Sequence, residues 1–488
     1  MNIFKKKSLC AALAGIGALG AAGAAQAVNL NPDGLGQVLI YPYYTTRADA
    51  AGNVYNSLLS VVNSTASVKA VKVRFLEGKN SQEVLDFNLF LSPKDVWTAG
   101  IVPMGSGAGI ITADKSCTLP VIPAAGKAFV NFLYTSDGAG ATLDRTREGY
   151  VEIIEMATFS DTSTTAENVT HIDGVPFHCD RQTDALASSE ALPPGLRDQD
   201  GRSGLFGGIT LINVDSGADY TADAVALDNF SDVVLYTNAG STQPDLTQAN
   251  PPISVLFANG FVYSSLWAAS TADPVSAVLM HDHIMNEFVL DAGTNSGTDW
   301  VVTMPTKFAY VRNGTGQPSR LFQRNFNKTD GACDDVDLNI YDREEQTTST
   351  PIDFSPPPPT LSNALCWEAN VITFQNSNVL GSLNVANVPT DFENGWLDIG
   401  FFPDTITGAI HTLPNDATQV TDIFGATAFG PATYVGLPVV GFAVQSFTNG
   451  AINVNGVNTL SNYGGNFVQK GTRFVDALTP VSIPVGSR

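Results

Sequence analysis

Between Asn56 and Val102 apolar side chains recur at every second residue, the period that a half-buried β-strand imposes. Val71, Val73 and Phe75 alternate with Lys72 and Arg74, and Leu85, Phe87, Leu89 and Leu91 alternate with Asp86 and Asn88. Glu77-Gly78-Lys79-Asn80 between the two runs reads as a turn. This register sends Phe75 and Phe87 to the core and Lys72 and Asp86 to solvent, because a slip of one residue would exchange the faces. Ser57 to Asn63 supplies a third strand, and Asp95-Val96-Trp97-Thr98 leads into a fourth. Short antiparallel strands at this spacing predict an immunoglobulin-like β-sandwich. Phe129–Tyr134 and Tyr150–Met156 are apolar on both faces and read as central strands.

The pattern breaks from Ser160 to Ser203, a polar stretch with Pro193-Pro194-Gly195, which reads as a loop excursion with a boundary near Gly201. Residues 28–200 are therefore expected to form the sandwich domain, and 201–488 a second β-rich domain. Strand-like runs in the second part include Phe206–Val214, Tyr220–Leu227, Val233–Tyr236, Trp300–Met304, Phe308–Val311 and Trp396–Phe401. One stretch differs: after Pro274, Val278, His281, Ile284, Met285 and Phe288 recur at spacings of three and four, which predicts one amphipathic helix. Asp342 to Leu361, with Pro356 to Pro359 in a row, reads as a Pro-rich surface loop. The expected class is mainly β: an immunoglobulin-like antiparallel sandwich plus a β-rich domain with one amphipathic helix.

The N-terminus sets the compartment. Lys5, Lys6 and Lys7 precede the apolar stretch Leu9 to Ala25, and Ala25-Gln26-Ala27 is a small-x-small cleavage site. This order is a secretory signal over residues 1–27, too short in its apolar part to span a bilayer. No later segment carries an apolar run of membrane-spanning length. The protein is expected to be exported and to reside in the periplasm, on the cell surface or outside the cell. Of 25 basic residues three leave with the signal, so 22 face 47 acidic ones, a balance of −25. A surface this negative repels nucleic acid and anionic lipid. Once Cys10 is removed, Cys117, Cys179, Cys333 and Cys366 remain. Neighbour pairing, Cys117–Cys179 and Cys333–Cys366, keeps each bridge within one expected domain, and the spacings do not fit a CxxC redox or zinc motif.

The residues Asn63-Ser64-Thr65, Val68 to Phe75, Val84 to Leu89 and Asp95 to Thr98 resemble a group of exported proteobacterial proteins known only as hypothetical or cell-surface proteins. Asn286-Glu287-Phe288, Thr298 to Thr303 and Pro305-Thr306-Lys307 look like a second stretch of the same group. The resemblance covers about a fifth of the chain. It implies export, and it assigns no catalytic residue.

No nucleophile elbow, P-loop or HExxH motif is present. His281-Asp282-His283 would offer two imidazoles to a metal on a strand, but on the expected helix they diverge by about 200°. Asp330, Asp334, Asp335 and Asp337 crowd around Cys333, and oxygen-rich loops suit calcium. Glu152, Glu155, Glu287 and Glu368 lie near ordered runs, and a glycosidase needs two such carboxylates across a sugar site. Glu152 and Glu155, three apart, face opposite sides of one strand. Trp97, Trp267, Trp300, Trp367 and Trp396 all stand in apolar company and are expected to pack in the core. The expectation is a secreted or cell-surface β-sandwich protein with a structural, adhesive or binding role, its partner a surface glycan or another envelope protein. The alternative is an extracellular hydrolase acting on glycans through paired carboxylates.

Overall fold

The computed structural model describes residues 26–134, 137–192, 203–312, 321–347, 364–401 and 411–480. Residues 1–25 of the expected signal, Pro193 to Gly195, Gly201 and Pro356 to Pro359 lie outside the described residues.

The fold is mainly β, as the alternation predicts, and five sheets carry it. The first has seven strands, in the order Asn29–Leu30, Val225–Asp228, Val38–Thr45, Glu148–Thr158, Lys69–Glu77, Glu83–Leu91 and Thr118–Leu119. The second has six: Ala218–Asp223, Leu205–Asn213, Asn56–Asn63, Val96–Met104, Gly107–Ile111 and Lys127–Ala128. Both are antiparallel throughout, and they face each other over one core. Val73, Phe75, Phe87 and Ile153 of the first sheet meet Leu59, Trp97, Ile101 and Leu211 of the second. Phe87 lies edge-on to Trp97, with ring centroids 5.7 Å apart. The sandwich expectation therefore holds, in sheets wider than those of an immunoglobulin domain.

Three expectations about this part need correction. First, Lys72 does not reach solvent. The strand Lys69–Glu77 is buried at every residue, because the outer face of the first sheet is also covered. The chain from Phe230 to Asn250 crosses that face: Gln37 Nε2 donates to the Ser231 carbonyl at 3.1 Å, and Asn88 Nδ2 donates to the Thr237 carbonyl at 2.9 Å. Charges on a doubly covered sheet must find partners. Lys72 Nζ accordingly bonds Asp86 at 3.2 Å, and Arg74 bonds Glu83 at 2.8 Å and also Glu152. Second, the strands that follow position 201 return to the first two sheets: Leu205 pairs with Asn63 and Val225 with Ile40. Third, Phe129–Tyr134 and Val233–Tyr236 are not strands, although Phe129 and Tyr134 are buried in the sandwich core.

The polar excursion holds two short helices, α1 (Thr164–Val169) and α2 (Asp184–Glu190). Ser163 and Thr183 cap them, each hydroxyl accepting a backbone N–H from three residues on. The Cys117–Cys179 disulfide ties this excursion to the sandwich, and Cys333–Cys366 closes the second bridge, the connectivity that neighbour pairing predicts.

The third sheet, Val385–Val388, Ala369–Phe374, Ser296–Thr303, Val440–Val454 and Val457–Val468, is antiparallel except where Ala369–Phe374 runs parallel to Val385–Val388. It is apolar on both faces. Val301, Val371, Phe442 and Val444 join the sandwich core, while Trp300, Val302, Ile372 and Phe374 face a second core. That second core is closed by the fourth sheet (Asp337–Asp342, Asn394–Gly400, His283–Val289, Lys470–Thr472) and the fifth (Ile253–Ala258, Phe261–Leu266, Thr412–Asp422, Thr427–Val435, Phe474–Ala477). Helix α3 (Asp273–Leu279) has Pro274 in its first turn and is wholly buried. The amphipathic helix expected through Phe288 ends at Leu279, and His283–Val289 is a strand. Phe308–Val311, expected as a strand, is the single-turn helix α4. Among the described residues, no helix is long and apolar enough to cross a membrane.

Candidate functional site: an aromatic platform on the fourth sheet

The fourth sheet has one covered face and one open face. Along His283–Val289, Ile284 and Phe288 are buried beside Asn286, while His283, Met285 and Glu287 point the other way. The neighbouring strands repeat the division: Leu397 and Ile399 inward against Trp396 and Asp398 outward, and Ile340 inward against Asn339 and Tyr341 outward. The register lines the outward residues up in rows across the strands. Tyr341 stands opposite Trp396, and Trp396 opposite Glu287. In the next row Asn339 is opposite Asp398, Asp398 opposite Met285, and Met285 opposite Lys470.

The first row forms a platform. Tyr341 and Trp396 stack with ring centroids 4.7 Å apart and planes 18° from parallel, and Trp396 is 40% exposed. Directly opposite residues on neighbouring strands are close enough for such pairs to interact. The backing is rigid. Phe288, next to Glu287 but on the inner face, stacks on Phe374 at 4.8 Å, and Trp300 Nε1 donates to the Glu287 carbonyl at 3.2 Å. Gly395 is needed where the strands meet: a side chain there would run into the Tyr341 carbonyl. Around the rings, Asn339 and Glu287 are exposed, and their side chains make no hydrogen bond or ion pair among the described residues. Asp398 is held by His283, whose Nδ1 lies 2.8 Å from Oδ1. A flat pair of rings with uncommitted amide and carboxylate groups beside it can stack an amphipathic ring and bond its edge.

Comparisons with protein-family models, curated proteins and solved structures find no match for this chain.

The other residues singled out from the sequence are spread through the fold. His281 and His283 do not share a face, since the chain changes sheets at Asp282: His281 pairs with Leu437, and His283 with Gly400 and Thr472. His281 Nδ1 lies 2.9 Å from the Leu279 carbonyl, and burial, aided by Arg473, lowers its pKa to about 3 and keeps it neutral. Asp334 is buried against Lys307 at 2.8 Å and accepts the Gln323 N–H, whereas Asp335 accepts from Gln323 Nε2 at 2.9 Å. Asp337 lies on the open face of the fourth sheet, and the Asp330 N–H is turned to Asn327 Oδ1. Asp334 and Asp335 thus share Gln323, while Asp337 belongs to the fourth sheet. Among the described residues, no group of three or more His, Cys, Asp or Glu side chains is disposed to hold a metal ion.

The four glutamates separate as well. Glu152 bonds Arg74, and Glu155 bonds Lys69 at 3.1 Å on the opposite side of the same strand, as their odd spacing requires. Burial pushes Glu152 up to about 7 and Glu368 up to about 8. Both are enclosed by protein, so of the four only Glu287 is exposed to a ligand. Trp97, Trp267 and Trp300 are core residues as expected, and Trp367 is half-buried, with Lys79 Nζ 5.0 Å from its ring centroid. Trp396 is the correction: it stands on the open face.

The signal that finds Trp396 is phase. In Trp396-Leu397-Asp398-Ile399 the tryptophan keeps step with Asp398, not with Leu397 and Ile399. In Asp337-Leu338-Asn339-Ile340-Tyr341 the tyrosine likewise keeps step with Asp337 and Asn339. A large aromatic residue in step with polar neighbours is on the polar face.

Proposed function

We propose that the protein is an exported binding protein that holds a glycan on the open face of its fourth sheet. The observation that carries this reading is the stacked, exposed pair Tyr341–Trp396 flanked by the uncommitted side chains of Asn339 and Glu287. A pyranose presents C–H groups on its faces and hydroxyls at its rim, so it stacks on such rings and bonds polar groups beside them. Tyr341, Trp396 and Glu287 occupy three adjacent strands, a span of about 10 Å that matches a disaccharide. The secretory signal at the N-terminus and the two disulfides support an envelope or extracellular setting.

The test is retention on insoluble polysaccharides, with Trp396→Ala beside the wild type. The expected result is binding by the wild type that falls at least tenfold in the variant, with the melting temperature nearly unchanged, since stacking of an exposed pair contributes about 1 kcal/mol. Equal retention of the two proteins would remove the platform from the account. Release of reducing ends by the wild type would favour a hydrolase.

A further inference from the structure

The charge around the platform narrows the ligand. We infer that the glycan carries free amino groups: a polymer of hexosamine units that are not acetylated. The inference rests on the platform reading above and adds the substrate class.

The open face bears Glu287 and Asp398, with Glu287 directly opposite Trp396. The chain that enters this strand from one end brings Asp391 and Glu393, both exposed, and the turn after Tyr341 brings the exposed Glu345. Few cations among the described residues offset these. Arg343 in that turn is taken up by Glu344 at 2.7 Å. Lys470 lies on the far strand, beyond Met285, with its Nζ 3.5 Å from Asn286 Oδ1. His283 is paired with Asp398. A sugar stacked on Trp396 therefore has a carboxylate without a partner at its rim and a negative field on the approaches. Uronic or sulfated polymers are repelled from such a surface, neutral ones gain stacking and hydroxyl bonds to Glu287 and Asn339, and an ammonium adds the attraction of opposite charges at Glu287. Stacking chooses the ring, and the carboxylate chooses its substituent.

The experiment titrates soluble oligosaccharides of equal length into the whole protein at constant ionic strength and follows tryptophan fluorescence. The oligomers are of glucosamine, N-acetylglucosamine and glucose. A buffer below neutral pH keeps the amines charged. The glucosamine oligomer should bind tightest. Glu287→Gln should weaken it about fivefold, the worth of an exposed ion pair of about 1 kcal/mol, and weaken the glucose oligomer clearly less. Glu167→Gln, an exposed change on α1, serves as the control for net charge and should have no effect. Equal binding of the three oligomers would overturn the amine preference and keep the platform, provided that Trp396→Ala abolishes all three. The same loss from Glu167→Gln as from Glu287→Gln would also overturn it, reducing the effect to bulk charge. No binding of any oligomer would overturn both readings.

Discussion

Glu368 illustrates what enclosure does to a carboxyl in this protein. It is almost completely buried where the third sheet begins, and burial raises its pKa from 4.5 to about 8 even though Lys307 and Arg312 pull the other way. Glu152, opposite Arg74, rises to about 7 for the same reason. A group with a raised folded pKa keeps a proton that the unfolded chain has already given up. Its contribution to stability is full below the ordinary carboxyl range, and it drains away as the pH climbs from about 4.5 towards 8. For a buried group this amounts to a few kcal/mol. The melting temperature should therefore be higher near pH 5 than near pH 8, and Glu368→Gln, which is neutral at both, should reduce the difference. Thermal unfolding at the two pH values in matched buffers measures it. A variant with the full wild-type slope would place the effect elsewhere. The sequence does not announce these pKa shifts, because burial of Glu368 depends on the second face of the first sheet and on the third sheet. Lys72 escaped the alternation argument in the same way: its period is correct, but a covering segment about 160 residues later in the chain turns the outer face into an interior.

At the level of elements, Gly395 and the segment 278–289 show how far local pattern reaches. Spacings of three and four between Val278 and Phe288 fit a helix, and α3 does occupy the start of the stretch. Yet Ile284, Asn286 and Phe288 also alternate with His283, Met285 and Glu287, and the pairing of this strand with both Asn394–Gly400 and Lys470–Thr472 decides in favour of the strand. Two partner strands satisfy the backbone on both edges, which outweighs a weak helical preference. The platform was legible in three short alternating segments, but its assembly was not: Tyr341 and Trp396 are neighbours only through the register of strands 55 residues apart. Gly395 sits at that junction, opposite Asp342. Gly395→Ala would drive a methyl into the Tyr341 carbonyl and push the two strands apart at the aromatic pair. The expected outcome is a loss of about 1–3 kcal/mol, as for other overpacked sites, together with weaker glycan retention. Thr479→Ala, an exposed change in the coil after the last strand of the fifth sheet, should alter neither. A Gly395→Ala protein with wild-type melting and retention would show that this approach is not what sets the platform.

At the scale of the whole molecule the expected two-domain division meets a continuous core. Length and the polar excursion suggested a break near position 201, because no local pattern says that Leu205–Asn213 returns to a strand formed some 140 residues earlier. The third sheet then joins the sandwich directly. Val301, Val371, Phe442 and Val444 share its apolar cluster with Leu39, Tyr41 and Tyr220. Polar bonds cross at several points: Thr303 Oγ1 to the Pro42 carbonyl at 2.7 Å, Tyr55 OH to the Val379 carbonyl at 3.1 Å, and the Ala369 N–H to the Gly78 carbonyl at 2.8 Å. Glu148, buried beside Arg47, accepts from Ser382 Oγ and from the Leu383 N–H. Removing the later sheets would expose these apolar residues and strip a buried carboxylate of two donors, each a costly change. The sandwich is thus expected to unfold together with the third sheet. Calorimetry of the whole chain, with both disulfides intact, should give one main transition whose van't Hoff and calorimetric enthalpies agree. A fragment ending at Asp228 should melt far below it or fail to fold. Two well-separated transitions, with one reproduced by that fragment alone, would mean that the shared cluster is a contact between independent domains and not a single core.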